Sequence, residues 1–130
     1  MIFIDYQPTQ IFAISSMDLQ LLVDNVVRVA KLGKIFNLPI VLSTVNVKGG
    51  QKPTVHPLRQ VLSDQKELDR TTINAWEDKE FLDAVEATGR KKLIMCQPFV
   101  SCRRDDSVAL KKGSTGFVGF RTRGRSRYGF

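Results

Sequence analysis

The chain has 130 residues, of which 42% are apolar and 25% are charged, and its formal net charge is +7. This length predicts one compact domain and excludes a second full domain, while the composition is typical of a globular protein and excludes disorder throughout. The sequence has no apolar run near the ~20 residues of a membrane-spanning helix and no signal-peptide pattern, so we expect a cytoplasmic protein with no membrane partner. Two cysteines are too few for a disulfide scaffold.

The positive charge is concentrated near the C-terminus. Residues 1–98 contain 12 basic and 11 acidic side chains, whereas residues 99–130 contain eight basic and two acidic ones. The pI near 9.7 therefore reflects the last 32 residues. The two segments need separate interpretations.

The N-terminal third predicts a strand, a helix and a second strand. The apolar run 1–4 is typical of a buried parallel strand. Apolar residues then recur at helical spacing from about 17 to 36, with Ser15 or Ser16 as the candidate N-cap. The run 40–45 is β-branched and apolar, which predicts a second strand covered on both faces. Together these elements predict a right-handed parallel βαβ unit.

The next segments predict two helices and a third strand. Residues 49–53 have the composition of a loop, and 57–62 could form a short helix. Asp78 can cap a further helix that ends before Gly89, and the run 92–96 predicts a buried strand. The order of these elements predicts an α/β fold with a Rossmann-like, open, doubly wound parallel sheet.

In such sheets ligands bind beyond the carboxyl ends of the strands. Here that edge would carry Asp5, residues 43–46 and the stretch after Met95. The glycine-rich motifs that bind phosphate are absent after the first strand, where Asp-Tyr-Gln-Pro-Thr-Gln stands at 5–10. We therefore expect no nucleotide cofactor.

Three segments resemble one enzyme family: Ile-Asp-Tyr-Gln at 4–7, Leu-Pro-Ile-Val-Leu-Ser-Thr at 38–44, and Asp-Arg-Thr-Thr-Ile-Asn-Ala-Trp-Glu-Asp at 69–78. They are similar to the isochorismatase-like cysteine hydrolases, in particular the nicotinamidase-related bacterial members, over about residues 1–95. The resemblance implies a Rossmann-like sheet, frequent oligomerisation, and a triad of Asp, a basic residue and a nucleophilic Cys. Such enzymes act on C–N bonds or on a vinyl ether of a small-molecule substrate.

The resemblance assigns roles to five residues. Asp5 matches the acid of the triad and would act as the general base for the thiol. Arg70 stands where the basic residue is expected, usually Lys, and could hold a thiolate or a developing oxyanion but cannot exchange protons as Lys does. Asn74 and Trp76 match the family's segment and would line the substrate pocket, while Gln7 would help orient either the acid or the substrate.

The resemblance weakens at the nucleophile. The family has a turn of the type G-x-x-T-E-x-C after its strand, whereas this chain has Cys-Gln-Pro-Phe-Val-Ser-Cys at 96–102. Cys102 is the candidate nucleophile, one residue short of the expected position. The metal pattern of nicotinamidases requires an Asp and histidines after the second strand, which residues 44–47 do not supply. His56 is the single histidine, and we expect no metal.

Each candidate also has a purely structural interpretation. Asp5 could accept backbone hydrogen bonds at a strand end, and Arg70 could be a solvated charge beside an acidic neighbour. Trp76 could pack in the core. Cys96, at the end of a buried strand, is most simply a small core hydrophobe, whereas Cys102 has arginine neighbours that favour a lower thiol pKa.

The tail does not resemble the family, so we divide the chain into a partial α/β domain over 1–98 and a basic Arg/Gly-containing tail over 99–130. We expect a sheet truncated at its C-terminal end, with one edge exposed. One hypothesis for the tail is a reading-frame change after Met95, because codons compatible with 110–115 can encode Glu-Glu-Gly-Phe-Asp in a shifted frame. The alternatives are an unselected end, or a basic arm that binds nucleic acid or an acidic surface in a non-enzymatic protein.

Overall fold

The structure is a computed structural model that describes residues 1–15, 17–98 and 116–121. In these ranges five parallel strands form one sheet in the order β3-β2-β1-β4-β5. The predicted α/β class, with a Rossmann-like parallel sheet, is confirmed. The elements in chain order are β1 (Ile2–Ile4), α1 (Pro8–Phe12), α2 (Leu19–Ile35), β2 (Val41–Val45), α3 (His56–Val61), β3 (Glu67–Arg70), a 3₁₀ turn (Ala75–Glu77), α4 (Lys79–Ala87), β4 (Lys92–Gln97) and β5 (Gly116–Arg121).

The core has two halves, one on each face of the sheet, because successive side chains of a strand point to opposite faces. Ile2 and Ile4 of β1 face the 3₁₀ turn and α4, where they share a buried cluster with Phe81. Phe3 faces the other way and shares a cluster with Leu22 of α2. All three β1 side chains are buried, so β1 lies at the centre of the sheet with its carboxyl end available for a site.

The long helix α2 begins later than the sequence predicts. Asp18 is its N-cap, and the Asp18 carboxylate accepts a hydrogen bond of 2.9 Å from the backbone N–H of Leu21. The prediction that Ser15 or Ser16 caps this helix is therefore wrong. A carboxylate at this position also interacts favourably with the helix dipole.

Two elements have no strong signal in the sequence. The helix α1 is short and begins with Pro8, in a segment that we interpreted only as the absence of a phosphate-binding loop. The strand β3 has the sequence Glu-Leu-Asp-Arg, in which polar residues outnumber apolar ones. It lies at the edge of the sheet next to β2, where Glu67 and Asp69 are partly exposed, whereas Arg70 is buried although it is charged.

The helix α4 and the strand β4 agree with the prediction. The Asp78 side chain caps α4 by accepting a hydrogen bond of 2.8 Å from the backbone N–H of Phe81. Gly89 follows the helix with a φ of +64°, the left-handed conformation that glycine adopts without steric cost.

The strand β5 comes from the segment after residue 98 and pairs in parallel with β4 along all six residues of Lys92–Gln97. The expectation that this edge of β4 is exposed is therefore wrong. The division of the chain at residue 98 remains a prediction.

In the described part of the chain, no helix has the length and apolar content that a membrane span requires.

Candidate active site

The centre of the candidate site is an ion pair between Asp5, the residue that follows β1, and Arg70, the last residue of β3. Nη1 of Arg70 lies 2.7 Å from Oδ1 of Asp5, and Nη2 lies 2.8 Å from Oδ2, so the contact is bidentate. The Arg70 side chain is 1% exposed and the Asp5 side chain is 20% exposed. The pair is therefore shielded on its cationic side and open to solvent on its anionic side.

The two residues come from strands that are not neighbours, because β2 lies between β1 and β3. The guanidinium of Arg70 spans the carboxyl end of β2, where Nη1 also donates to Oγ of Ser43 at 3.0 Å and to the carbonyl of Thr44 at 3.1 Å. Nη2 donates to the carbonyl of Ile73 at 3.2 Å. Three strands and the following loop thus hold one cation at the edge where the fold predicts a ligand site.

These contacts define what Arg70 can do. Its terminal N–H groups are directed at Asp5, Ser43, Thr44 and Ile73. The Nε atom of Arg70 has no hydrogen-bond partner among the described residues. The interpretation of Arg70 as a solvated charge is wrong, since the whole residue is 2% exposed. The geometry favours a guanidinium that fixes the Asp5 carboxylate over one that binds a thiolate directly.

The backbone at Asp5 adopts an unusual conformation. Its φ is +57°, in the left-handed region, and its N–H donates to the carbonyl of Ser43 at 3.0 Å. Asn46, which follows β2, has the same φ of +57°. Asp and Asn tolerate this region better than most residues other than glycine. Two adjacent strands therefore end on left-handed polar residues at the same edge of the sheet.

Gln7 is completely buried and supports the neighbouring loop. Its Oε1 accepts from the backbone N–H of Val45 at 2.8 Å, and its Nε2 donates to the carbonyls of Val45 at 3.1 Å and Lys52 at 2.7 Å. The side-chain amide is thus bound to the end of β2 and to the loop that follows it. These contacts support a positioning role for Gln7.

Asp69 belongs to the same region and was not among the predicted site residues. Its carboxylate accepts from the backbone N–H groups of Val47 at 2.8 Å and Lys48 at 2.9 Å, and from Oγ1 of Thr44 at 3.4 Å. Burial raises the pKa of Asp69, but the hydrogen bonds from Lys48, Val47 and Thr44 outweigh it, and the net pKa lies below the usual value. The sequence feature that could have indicated Asp69 is its position next to Arg70, because adjacent residues of a strand point to opposite faces of the sheet.

Asn74 and Trp76 lie in the 3₁₀ turn region that follows Arg70 in the chain. Oδ1 of Asn74 accepts from the backbone N–H of Trp76 at 2.9 Å, so Asn74 caps this turn. Trp76 is 5% exposed and packs edge-on against Phe81, with ring centroids 5.2 Å apart. The packing interpretation of Trp76 is confirmed, while a contact between either residue and a substrate remains a prediction.

Of the two cysteines, Cys96 lies within the described residues and Cys102 does not. Cys96 is 1% exposed, and burial raises the pKa of its thiol to about 12. Its interpretation as a core hydrophobe is confirmed, because the side chain belongs to the buried cluster that contains Phe3 and Leu22. Cys102, the candidate nucleophile, lies outside the described residues.

Histidine, cysteine and carboxylate side chains do not form a group of three that could bind a metal ion within the described ranges. His56, the single histidine, is exposed at the start of α3. The expectation of no metal remains a prediction for the whole chain.

The fold and the charged pair define a Rossmann-like α/β domain with a polar site at the carboxyl edge of its sheet, and comparison with known proteins shows that it is homologous to bacterial hydrolases. No family model matches the chain. The chain is 33% identical over 93 residues to the "Probable hydrolase YcaC" of Escherichia coli strain K12, an alignment that covers 71% of this chain and 45% of YcaC.

Two solved structures of YcaC proteins superpose on this fold. The Escherichia coli protein, described as an octameric hydrolase of unknown specificity, gives a TM-score of 0.78 at 28% identity. The superposition covers 90% of this chain and 59% of the Escherichia coli chain. YcaC from Pseudomonas aeruginosa, solved with hexane-2,5-diol and covalent acrylamide, gives a TM-score of 0.80 at 29% identity, with coverage of 90% and 60%. The chain therefore spans less than two thirds of the length of each relative.

Proposed function

We propose that this chain is a member of the isochorismatase-like cysteine hydrolases. In this proposal, Asp5, Arg70 and Cys102 hydrolyse an amide-like C–N bond, or a related bond, in a small molecule. The observation that carries the proposal is the bidentate contact between Asp5 and Arg70, which joins two residues 65 positions apart at the ligand-binding edge of the sheet. Homology to YcaC supports hydrolysis as the type of reaction.

The proposed reaction begins with transfer of the Cys102 thiol proton to the Asp5 carboxylate. The thiolate then attacks the substrate carbonyl carbon, and a tetrahedral intermediate forms. The C–N bond breaks when Asp5 returns the proton to the leaving nitrogen, which gives a free amine and a thioester on Cys102. Asp5 next takes a proton from water as the water attacks the thioester, and the Cys102 thiol is regenerated as the carboxylic acid leaves.

Arg70 supports this cycle by holding Asp5 in place. The guanidinium keeps its positive charge while the carboxylate gains and loses a proton, and its two parallel hydrogen bonds fix both carboxylate oxygens. The Asp5 side chain is 20% exposed, which leaves the carboxylate accessible for the proposed proton transfer. Arg70 is accordingly a positioning residue and does not transfer protons.

Acrylamide is a suitable probe of the proposed nucleophile, since it alkylates thiolates and one YcaC relative was solved with covalent acrylamide. The chain contains two cysteines, which permits a matched pair of variants, Cys102→Ala and Cys96→Ala. The full chain should gain one adduct, mapped to Cys102 by peptide mass. The adduct should persist in Cys96→Ala and disappear in Cys102→Ala.

Reaction at both cysteines, or labelling of Cys102 no faster than a free cysteine peptide, would contradict a thiolate-based site. An activated Cys102 should react at least about tenfold faster than the peptide at neutral pH, because a larger fraction of it is thiolate. The retained reaction in Cys96→Ala controls for a general effect of removing a cysteine.

We further propose that the protein self-associates, on the basis of the octameric Escherichia coli relative. We also propose a small-molecule substrate and no cofactor. The chain spans less than two thirds of the length of each of these relatives.

A further inference from the structure

The helix α2 has a second apolar face that does not contact the core. Its inner face is buried against the sheet through Leu22, Val26 and Ala30. Four of the six exposed large apolar side chains in the described ranges lie on one flank of this helix, beside the buried face, or at its C-cap. These four residues, named here the outer stripe, are Leu21, Leu32, Ile35 and Phe36, with exposures of 48%, 51%, 74% and 71%.

Helical geometry places the outer stripe on one side of α2. Leu21 and Leu32 are separated by eleven residues, which is close to three whole turns and about 16 Å along the axis. Ile35 and Phe36 follow Leu32 at spacings of three and four residues, so they extend the same side. Single exposed apolar residues are ordinary on protein surfaces, whereas an apolar row on one helix face is typical of a contact with another protein surface.

The charges of α2 indicate which surface would fit. The first half of the helix carries Asp18 and Asp24, and the exposed side of the second half carries Arg28 and Lys31. Asp18 caps the helix, and Asp24 accepts a hydrogen bond of 2.9 Å from Gln20. A second α2 that runs antiparallel would place its basic half over the acidic half of the first. The face is thus complementary to itself.

We propose that the outer stripe is the contact between two copies of this chain, which pair α2 with α2 in antiparallel orientation about a two-fold axis. The axis would cross the helix near residues 26 and 27. Leu21 of each copy would then lie against Leu32 of the other, and Asp24 would face Arg28 across the contact. This arrangement is isologous, because each pair of contacts occurs twice.

This proposal rests on the proposed self-association and does not depend on the hydrolase activity. It adds the surface and the register of the contact, neither of which follows from an octameric relative alone. The apolar row would supply the area removed from water, and the charges would select the antiparallel orientation over the parallel one.

Sedimentation velocity of the full chain over a wide concentration range tests the proposed contact. Leu32→Glu should weaken self-association by about tenfold or more, because it buries a charge against Leu21 of the other copy. Phe12→Glu is the matched control, since Phe12 is 67% exposed and lies outside α2. It should leave the assembly unchanged.

A charge exchange tests the register with Asp24, which is partly exposed, and Arg28, which is exposed. Asp24→Arg alone and Arg28→Asp alone should each weaken self-association, because like charges would then face each other across the axis. The double variant Asp24→Arg/Arg28→Asp should restore it. Failure of the double variant to restore association would overturn the antiparallel pairing.

The remaining outcomes separate the two proposals. A chain that is monomeric at every concentration would overturn self-association and the proposed contact together. An assembly that Leu32→Glu does not weaken, with circular dichroism that shows a folded variant, would overturn only the contact through the outer stripe.

Discussion

Asp69 and Arg70 are consecutive residues of β3 that hold different parts of the candidate site. The Asp69 carboxylate binds the backbone of the loop after β2, at Val47 and Lys48, while the Arg70 guanidinium binds the carboxylate of Asp5. Alternation of side chains along a strand makes this division possible. A short edge strand with a polar sequence therefore positions both the proposed base and the loop beside it.

The ion pair should contribute strongly to the stability of the fold. Asp5→Ala leaves the Arg70 guanidinium, 1% exposed, without its anionic partner, and we expect the free energy of unfolding to fall by about 3 kcal/mol. Urea denaturation provides the measurement. The control is Asp64→Ala, which removes an exposed partner of Lys34 and should have a much smaller effect. Equal losses in the two variants would contradict the buried character of the Asp5–Arg70 pair.

The Asp69 carboxylate should make stability depend on pH. Because the folded state holds its pKa below the unfolded value of about 3.9, the stabilising contribution is present above that value and is lost as the pH falls through the folded pKa. Asp69→Asn removes this contribution. The difference in unfolding free energy between the original chain and Asp69→Asn should shrink below about pH 4. If this difference in unfolding free energy grew as the pH fell, the result would contradict a lowered pKa of Asp69 in the folded state.

Cys96 should react with alkylating reagents only when the protein unfolds. Its pKa of about 12 and its burial both suppress the thiolate in the folded state. In the Cys102→Ala variant, iodoacetamide labelling at neutral pH should be slow without denaturant and fast in urea. Rapid labelling of the folded variant would indicate that β4 opens readily or that Cys96 is not buried.

The basic segment 99–130 offers a different kind of function, binding to a polyanion. If it acts as an arm for nucleic acid, a single-stranded polynucleotide should bind the full chain with an affinity that falls steeply as salt increases. The variant Arg123→Ala/Arg125→Ala should then bind more weakly. Weak binding that salt does not change, or full binding by the double variant, would contradict a nucleic-acid-binding role for this segment.

The sequence predicted the parallel sheet well, because the strands at 1–4, 40–45 and 92–96 are mostly apolar runs, which are typical of a sheet covered on both faces. It did not predict β3, because three of the four residues of this edge strand are charged, including the buried Arg70. The pairing of Asp5 with Arg70 could be suggested only by resemblance, since no local pattern brings residues from non-adjacent strands together.

The effect of Asp5 on the reactivity of Cys102 tests the central proposal most directly. The measurement is the rate of acrylamide labelling at Cys102 in Asp5→Asn, compared with the original chain and with Asp24→Asn as a matched exchange on α2. General-base activation predicts a rate at least about tenfold lower in Asp5→Asn alone, with Cys96 unlabelled throughout as a report that the fold is intact. An unchanged Cys102 rate in a folded Asp5→Asn variant would contradict a catalytic role for the Asp5–Arg70 pair.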